Sequence, residues 1–185
     1  TRVRSRGTGF AAGASKAGGV REGGVPWAAA DPSVAGARAA TTVGPRVGSP
    51  VVGFIWDAQL ASYVRIVAGR RIVTASGAPV AKPNVLVQFC QINADRSDVD
   101  VNGNPSAFTK SVGSDRVVLF RDAKRIEGNW SRPSIRSPTT FPSVAAKPLL
   151  FAPGATLVPR APPGPTVFPN PSSDPAISLP STPPP

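Results

Sequence analysis

The side chains able to do chemistry in this 185-residue chain are few and one-sided: ten acids, 21 Lys and Arg, one cysteine and no histidine. Without histidine, no side chain titrates near neutrality at its ordinary pKa, so proton transfer would fall to carboxylates. The carboxylates that could pair for such work are Asp57, Asp115, Asp122 and Glu127. A hydrolase built here would use Asp57 or Glu127. Asp122 and Glu127, however, flank a predicted turn, where solvated charge is the usual occupant. Cys90 has no histidine to activate it and no second cysteine to pair with, and in the apolar run 85–92 it reads as a small buried hydrophobe. No G-x-S-x-G, S-x-x-K or P-loop pattern occurs. These residues point to no catalytic set and no cofactor.

Two patterns touch ligand chemistry without completing it. Asp98, Asp100 and Asn102, followed by Gly103, place oxygen side chains at alternate positions before a glycine, which is how a calcium loop opens. The twelfth position is Thr109 instead of the bidentate glutamate, and Asp, Asn and Gly also make ordinary turns. Gly7-Thr8-Gly9-Phe10-Ala11-Ala12 matches a loose dinucleotide pattern, but no strand precedes it and no apolar helix follows. A third set, Trp56, Asp57, Tyr63, Arg65, Trp130 and Arg132, combines aromatic faces with guanidinium forks. Such combinations bind sugars or peptides by stacking and paired hydrogen bonds. The other reading is that the tryptophans anchor a β core and the arginines line its rim.

The elements that would position these side chains are strands. Residues 51–57 and 63–67 are β-branched and aromatic, with a turn at Ala68-Gly69 leading into 70–75 as a hairpin. Residues 84–92 form the clearest strand, with Val85, Val87 and Phe89 on one face and Leu86, Gln88 and Cys90 on the other. Residues 93–107 are polar and read as a long loop. Residues 116–121 and 125–130 form a second hairpin, whose turn Asp122-Ala123-Lys124 would be better served by glycine at Ala123. Short extended pieces are expected near 139–141 and 149–151. The predicted fold class is mainly β: one small β-rich domain of about six to eight short strands.

The two ends differ from this middle. Residues 1–53 hold 11 of 18 glycines, and residues 132–185 hold 16 of 23 prolines. Glycine costs backbone entropy on ordering and proline removes ladder donors, so both are poor core material. The expected organisation is a flexible low-complexity Gly/Ala/Arg-rich arm at 1–48, with a short helix around 33–41, a β domain at 49–160 and a disordered Pro-rich tail at 161–185. The formal net charge is +11, spread thinly with no run of four basic residues. A nucleic-acid protein concentrates its charge on a stripe, so polyanion binding is the alternative function and nucleic acid is not the expected partner. No stretch approaches the roughly 20 apolar residues of a membrane helix. The lack of an initiator methionine and of a signal-peptide core reads as a fragment or processed product. The richness in Ala, Gly, Arg, Pro and Val resembles translation of a GC-rich genome.

Several motifs, in order, carry a family resemblance. Phe54-Ile55-Trp56-Asp57 followed by Tyr63-Val64-Arg65, the strand Asn84-Val85-Leu86-Val87-Gln88-Phe89, and the turn Val112-Gly113-Ser114-Asp115 are the first. The run from Phe120 through Asp122, Glu127-Gly128 and Trp130 to Pro133 follows, and Pro153-Gly154-Ala155-Thr156 closes the set. Across about 50–160 the chain resembles the carboxy-terminal domain of YerB-like bacterial lipoproteins, the DUF3048 family. It departs from that pattern where Asp115 and Ala123 replace glycines and Leu157 replaces a tryptophan. The resemblance implies an extracytoplasmic protein, anchored in the membrane as a lipoprotein in the full-length family, with a separate amino-terminal domain absent here. It implies no catalytic residues. The expected function is a non-catalytic, envelope-associated domain binding a partner or small ligand, the absent domain among them.

Overall fold

Alternating side chains and tight turns make strand the main element of this chain. The computed structural model describes residues 19–20, 25–44 and 52–164. The glycine motif at 7–12, the rest of residues 1–18 and the proline-rich 165–185 lie outside the described residues.

The first described segments are short. Strand β1 (Gly19–Val20) pairs antiparallel with β2 (Pro26–Trp27). One helical turn follows, α1 (Pro32–Ala35), capped by Asp31, whose carboxylate accepts from the Ser33 amide at 2.9 Å. Strands β3 (Arg38–Ala39) and β4 (Thr42–Val43) then part company, β3 joining one sheet and β4 the other.

The second sheet is built from β4, β5 (Val52–Asp57), β6 (Ser62–Val67) and β7 (Arg70–Arg71) in that order, with β8 (Ala81–Lys82) also pairing β6. The hairpin expected around Ala68-Gly69 is β6–β7. The first sheet centres on β9 (Asn84–Phe89), flanked by the long hairpin of β12 (Gly113–Arg121) and β13 (Lys124–Arg132). Its order is β14-β9-β12-β13-β3, where β14 (Thr156–Leu157) and β15 (Arg160–Ala161) both pair β9 in parallel.

Two cores flank the first sheet. Val85, Val87 and Phe89 of β9, with Val118 and Phe120, pack against Phe54 and Tyr63 of the second sheet. Leu86, Cys90, Val117, Leu119, Ile126 and Trp130 point the other way, and Leu149 and Phe151 cover them. Strand β9 is therefore buried on both faces, which is why it reads as a nearly unbroken apolar run. The face assignment read from its alternation matches the two clusters. Ala40 and Val43, which precede the boundary expected at residue 48, and Ala161, just beyond 160, are buried members of the first core. Seven strands have five residues or more, and eight two-residue strands supplement them.

One element departs from expectation. Residues 93–107 do not form a loop. Instead, β10 (Ile92–Val99) and β11 (Pro105–Thr109) pair from Ile92↔Thr109 to Val99↔Pro105, with a bulge between Asp95 and Val99. This hairpin is a two-stranded sheet of its own, joined to neither of the others. Neither of its faces meets the core, so no apolar period marked it.

The replaced glycines behave differently from one another. Asp122 and Ala123 form a two-residue loop between Arg121 and Lys124, with φ of 51° and 55°. That is the left-handed pair of a type I′ turn, where glycine is preferred at the second position. Asp115, by contrast, is extended within β12 opposite Trp130, and the positive φ falls on Gly113 at 128°. No glycine is required at Asp115. Leu157 packs half-buried against the first core, so the terminal strand forms without the family's tryptophan.

Candidate functional site

The aromatic–arginine set does not assemble into one site. Trp56 packs on the first core and Trp130 belongs to the second, on opposite faces of the β9–β12 sheet. They cannot grip a common ligand. Trp130 is 2% exposed, and its indole Nε1 donates to the Phe89 carbonyl at 2.6 Å. Arg132 donates from Nε to Ser137 O at 3.0 Å and from Nη2 to Ile135 O at 2.5 Å, pinning the turn after Pro133. Both are engaged in framework contacts.

Tyr63 sits deeper still. Its ring makes edge contacts with Trp56 at 5.0 Å and Phe120 at 6.3 Å, and its hydroxyl donates to the Ala40 carbonyl at 2.7 Å. Burial, reinforced by the Asp122 charge, pushes its phenol well above the ordinary value. Tyr63 cannot act as a base here.

The two carboxylates considered for hydrolysis are also occupied. Asp57 Oδ1 accepts from the amides of Gln59 and Leu60 at 3.0 and 3.2 Å, closing the β5–β6 turn. Its Oδ2 pairs with Arg71 Nη2 at 3.4 Å. Glu127 is half-exposed beside Arg125, at 3.3 Å. In the calcium-like segment, Asp100 Oδ1 accepts from the Asn102 and Asn104 amides, both at 2.9 Å, and Oδ2 from Asn104 Nδ2 at 3.0 Å. These bonds lower its pKa and hold the tip of the β10–β11 hairpin. Among the described residues, no group of three or more His, Cys, Asp or Glu comes together to hold a metal ion.

Arg65 is different. It stands on β6 opposite Phe54, on the face that carries Tyr63 and Trp56, and is half-buried at the edge of the first core. Its Nε is buried without a hydrogen-bond partner, as is that of Arg71, but Arg71 reaches Asp57 through Nη2 and Arg65 has no ion pair among the described residues. A buried donor left unmade costs about 1–3 kcal/mol. The register places Arg70 opposite Val67 and Lys82 opposite Tyr63, one ladder step to either side of Arg65 on that face.

Two features escaped the sequence reading. Arg121 is fully buried, and its guanidinium bonds Asp122 at 2.7 Å and the carbonyls of Ala28, Ala29 and Leu150 at 2.9–3.2 Å. Its only sequence signal was an arginine ending the apolar run Val117–Phe120. The other is the β10–β11 hairpin, where every residue of β10 is exposed and Phe108 is 59% exposed. Among the described residues, no helix is long and apolar enough to cross a membrane.

A family model described as "Protein of unknown function (DUF3048) C-terminal domain" matches residues 44–158. The crystal structure of the YerB protein from Bacillus subtilis is similar, with a TM-score of 0.50 and 20% identity over 65% of this chain and 39% of that one. The likeness is one of fold, and the chain spans well under half of that protein's length. No curated protein matches.

Proposed function

Because the chain belongs to the family of the DUF3048 carboxy-terminal domain, we propose that it is a non-catalytic binding domain of the bacterial cell envelope. Its docking element is the β10–β11 hairpin. The observation that carries this reading is the exposed Phe108 on a two-stranded sheet detached from both cores. An isolated two-stranded hairpin is marginal in water, so a structure that keeps one gains from a surface to lay it on. Val99 and Val101 add exposed apolar area near the tip, and Asp95, Asp98 and Asp100 make the hairpin acidic on a basic chain. The complementary surface is apolar with a basic rim.

The occupant is the family's amino-terminal domain. A carboxy-terminal family domain has another domain before it, and the matched structure is longer than this chain. Family resemblance further supports an extracytoplasmic location, with a lipid anchor on the whole protein. The engaged state of Asp57 and Glu127 speaks for binding over hydrolysis.

Amide exchange of the chain, alone and mixed with a separately produced amino-terminal domain of the family, tests the reading. Residues 92–109 should exchange rapidly alone and at least about tenfold more slowly in the mixture, with Phe108→Ser removing the protection. Unchanged exchange of those residues in a mixture that binds elsewhere would sink the hairpin assignment.

A further inference from the structure

We propose a second site, independent of the hairpin: Arg65, Arg70 and Lys82 bind a phosphoryl dianion on the second sheet, beside Trp56. Three observations and the geometry of a guanidinium carry it. The Nε of Arg65 is buried and has no acceptor. A guanidinium presents Nε–H and one Nη–H as parallel donors, the fork that takes two oxygens of one anion. Arg70 and Lys82 flank Arg65 on the same face through their pairing with Val67 and Tyr63. None of the three has an acidic partner among the described residues, whereas Arg71, on the opposite face of the same strands, is paired with Asp57.

The contrast between neighbours is informative. Arg70 and Arg71 are adjacent, yet alternation sends them to opposite faces, and Arg71 pairs with a carboxylate while exposed Arg70 has no ion pair among the described residues. A face with three positive charges outside any ion pair among the described residues and one unsatisfied Nε stabilises a doubly charged group more than a single carboxylate, even with the Asp122 charge felt at Tyr63. Lys82 supplies a point charge and Arg65 the geometry. Half-buried Trp56, diagonal to Arg65 across β5 and β6, offers an aromatic wall to whatever carries the phosphate.

Inorganic phosphate is the first probe, with the full chain and two readouts. Phosphate should raise the Tm, and the Arg65 Nε–H resonance should move downfield on titration. Arg65→Met should remove most of the Tm rise, while Arg136→Met, an equal loss of charge at an exposed position, should keep it. If Arg65→Met does not fold, the Arg70→Met/Lys82→Met pair, which leaves the buried stem intact, should weaken phosphate binding at least about tenfold, since each lost cation removes one charge contact. A rise equally large in Arg65→Met, or an equal rise with chloride at matched ionic strength, would overturn the site. A rise with acetate matching that with phosphate would overturn its preference for a dianion. Competition by glycerol phosphate identifies a soluble phosphate ester, and flotation with phosphatidic acid vesicles identifies a lipid headgroup. Either outcome supports the phosphoryl chemistry.

Discussion

The Tyr63 hydroxyl donates to the Ala40 carbonyl at 2.7 Å, joining residues 23 positions apart in the interface between the two sheets. Ala40 and Val43 come from a stretch of small residues that has little surface to bury by itself. This polar bond, inside an aromatic cluster with Trp56 and Phe120, joins the pairing of β3 with β13 and β4 with β5 in fixing where that stretch lies.

Tyr63→Phe should therefore destabilise the fold by about 1–2 kcal/mol, because the buried Ala40 carbonyl loses its donor. The pH dependence has a defined sign. The native phenol titrates well above its ordinary value of 10.0, so the unfolded state releases its proton first as pH rises. The stability tied to Tyr63 is complete below about pH 10 and drains away above it. Denaturant melts between pH 8 and 11 should show this fall in the parent chain and a flatter profile in Tyr63→Phe.

Ala123→Gly should stabilise the protein by about 1 kcal/mol, since Ala123 holds a left-handed conformation that glycine adopts without penalty. A higher urea midpoint with an unchanged m-value is the expected result. Asp115→Gly, which also restores a family glycine, should do the opposite, because Asp115 is extended within a strand.

Gly128→Ala should destabilise by about 1–3 kcal/mol. A Cβ there would stand 2.5 Å from the Pro142 carbonyl oxygen, where a neighbouring segment bridges β13. Gly44→Ala, with open space around its Cβ, should change the stability by less than about 0.5 kcal/mol. Similar losses in both variants would refute the steric account.

Arg121→Met should cost about 3 kcal/mol or more, since the carbonyls of Ala28, Ala29 and Leu150 lose their buried charged donor together. Exchange should accelerate first around residues 28–29 and 150–151. The Trp130 indole, bonded to Phe89 O on another part of that core, should keep its native fluorescence under mild conditions.

Much of the fold was legible in local patterns. The two faces of β9 follow from alternation alone, and the tight turn at Asp122-Ala123 follows from the polar break between two apolar strands. Both depend only on neighbours along the chain, where the period of a strand and the chemistry of a turn are written. The ordered motifs from Phe54 to Thr156 also identified the family, and the match at 44–158 shows it.

Other assignments were decided by tertiary structure. Nothing local says that Trp56 and Trp130 end on opposite faces of one sheet, that Tyr63 meets Ala40, or that Arg121 is buried with its bonds made while Arg65 Nε is left without an acceptor. Each depends on which sheet stacks on which and in what register, and those pairings join residues far apart in sequence. The β10–β11 hairpin shows the reverse case: a segment with no buried face carries no apolar period, so only the pairing of Ile92 with Thr109 reveals it as strand. In this chain, sequence settled the kind of element where a strand has a buried face, and long-range packing settled which polar groups were satisfied and which were not.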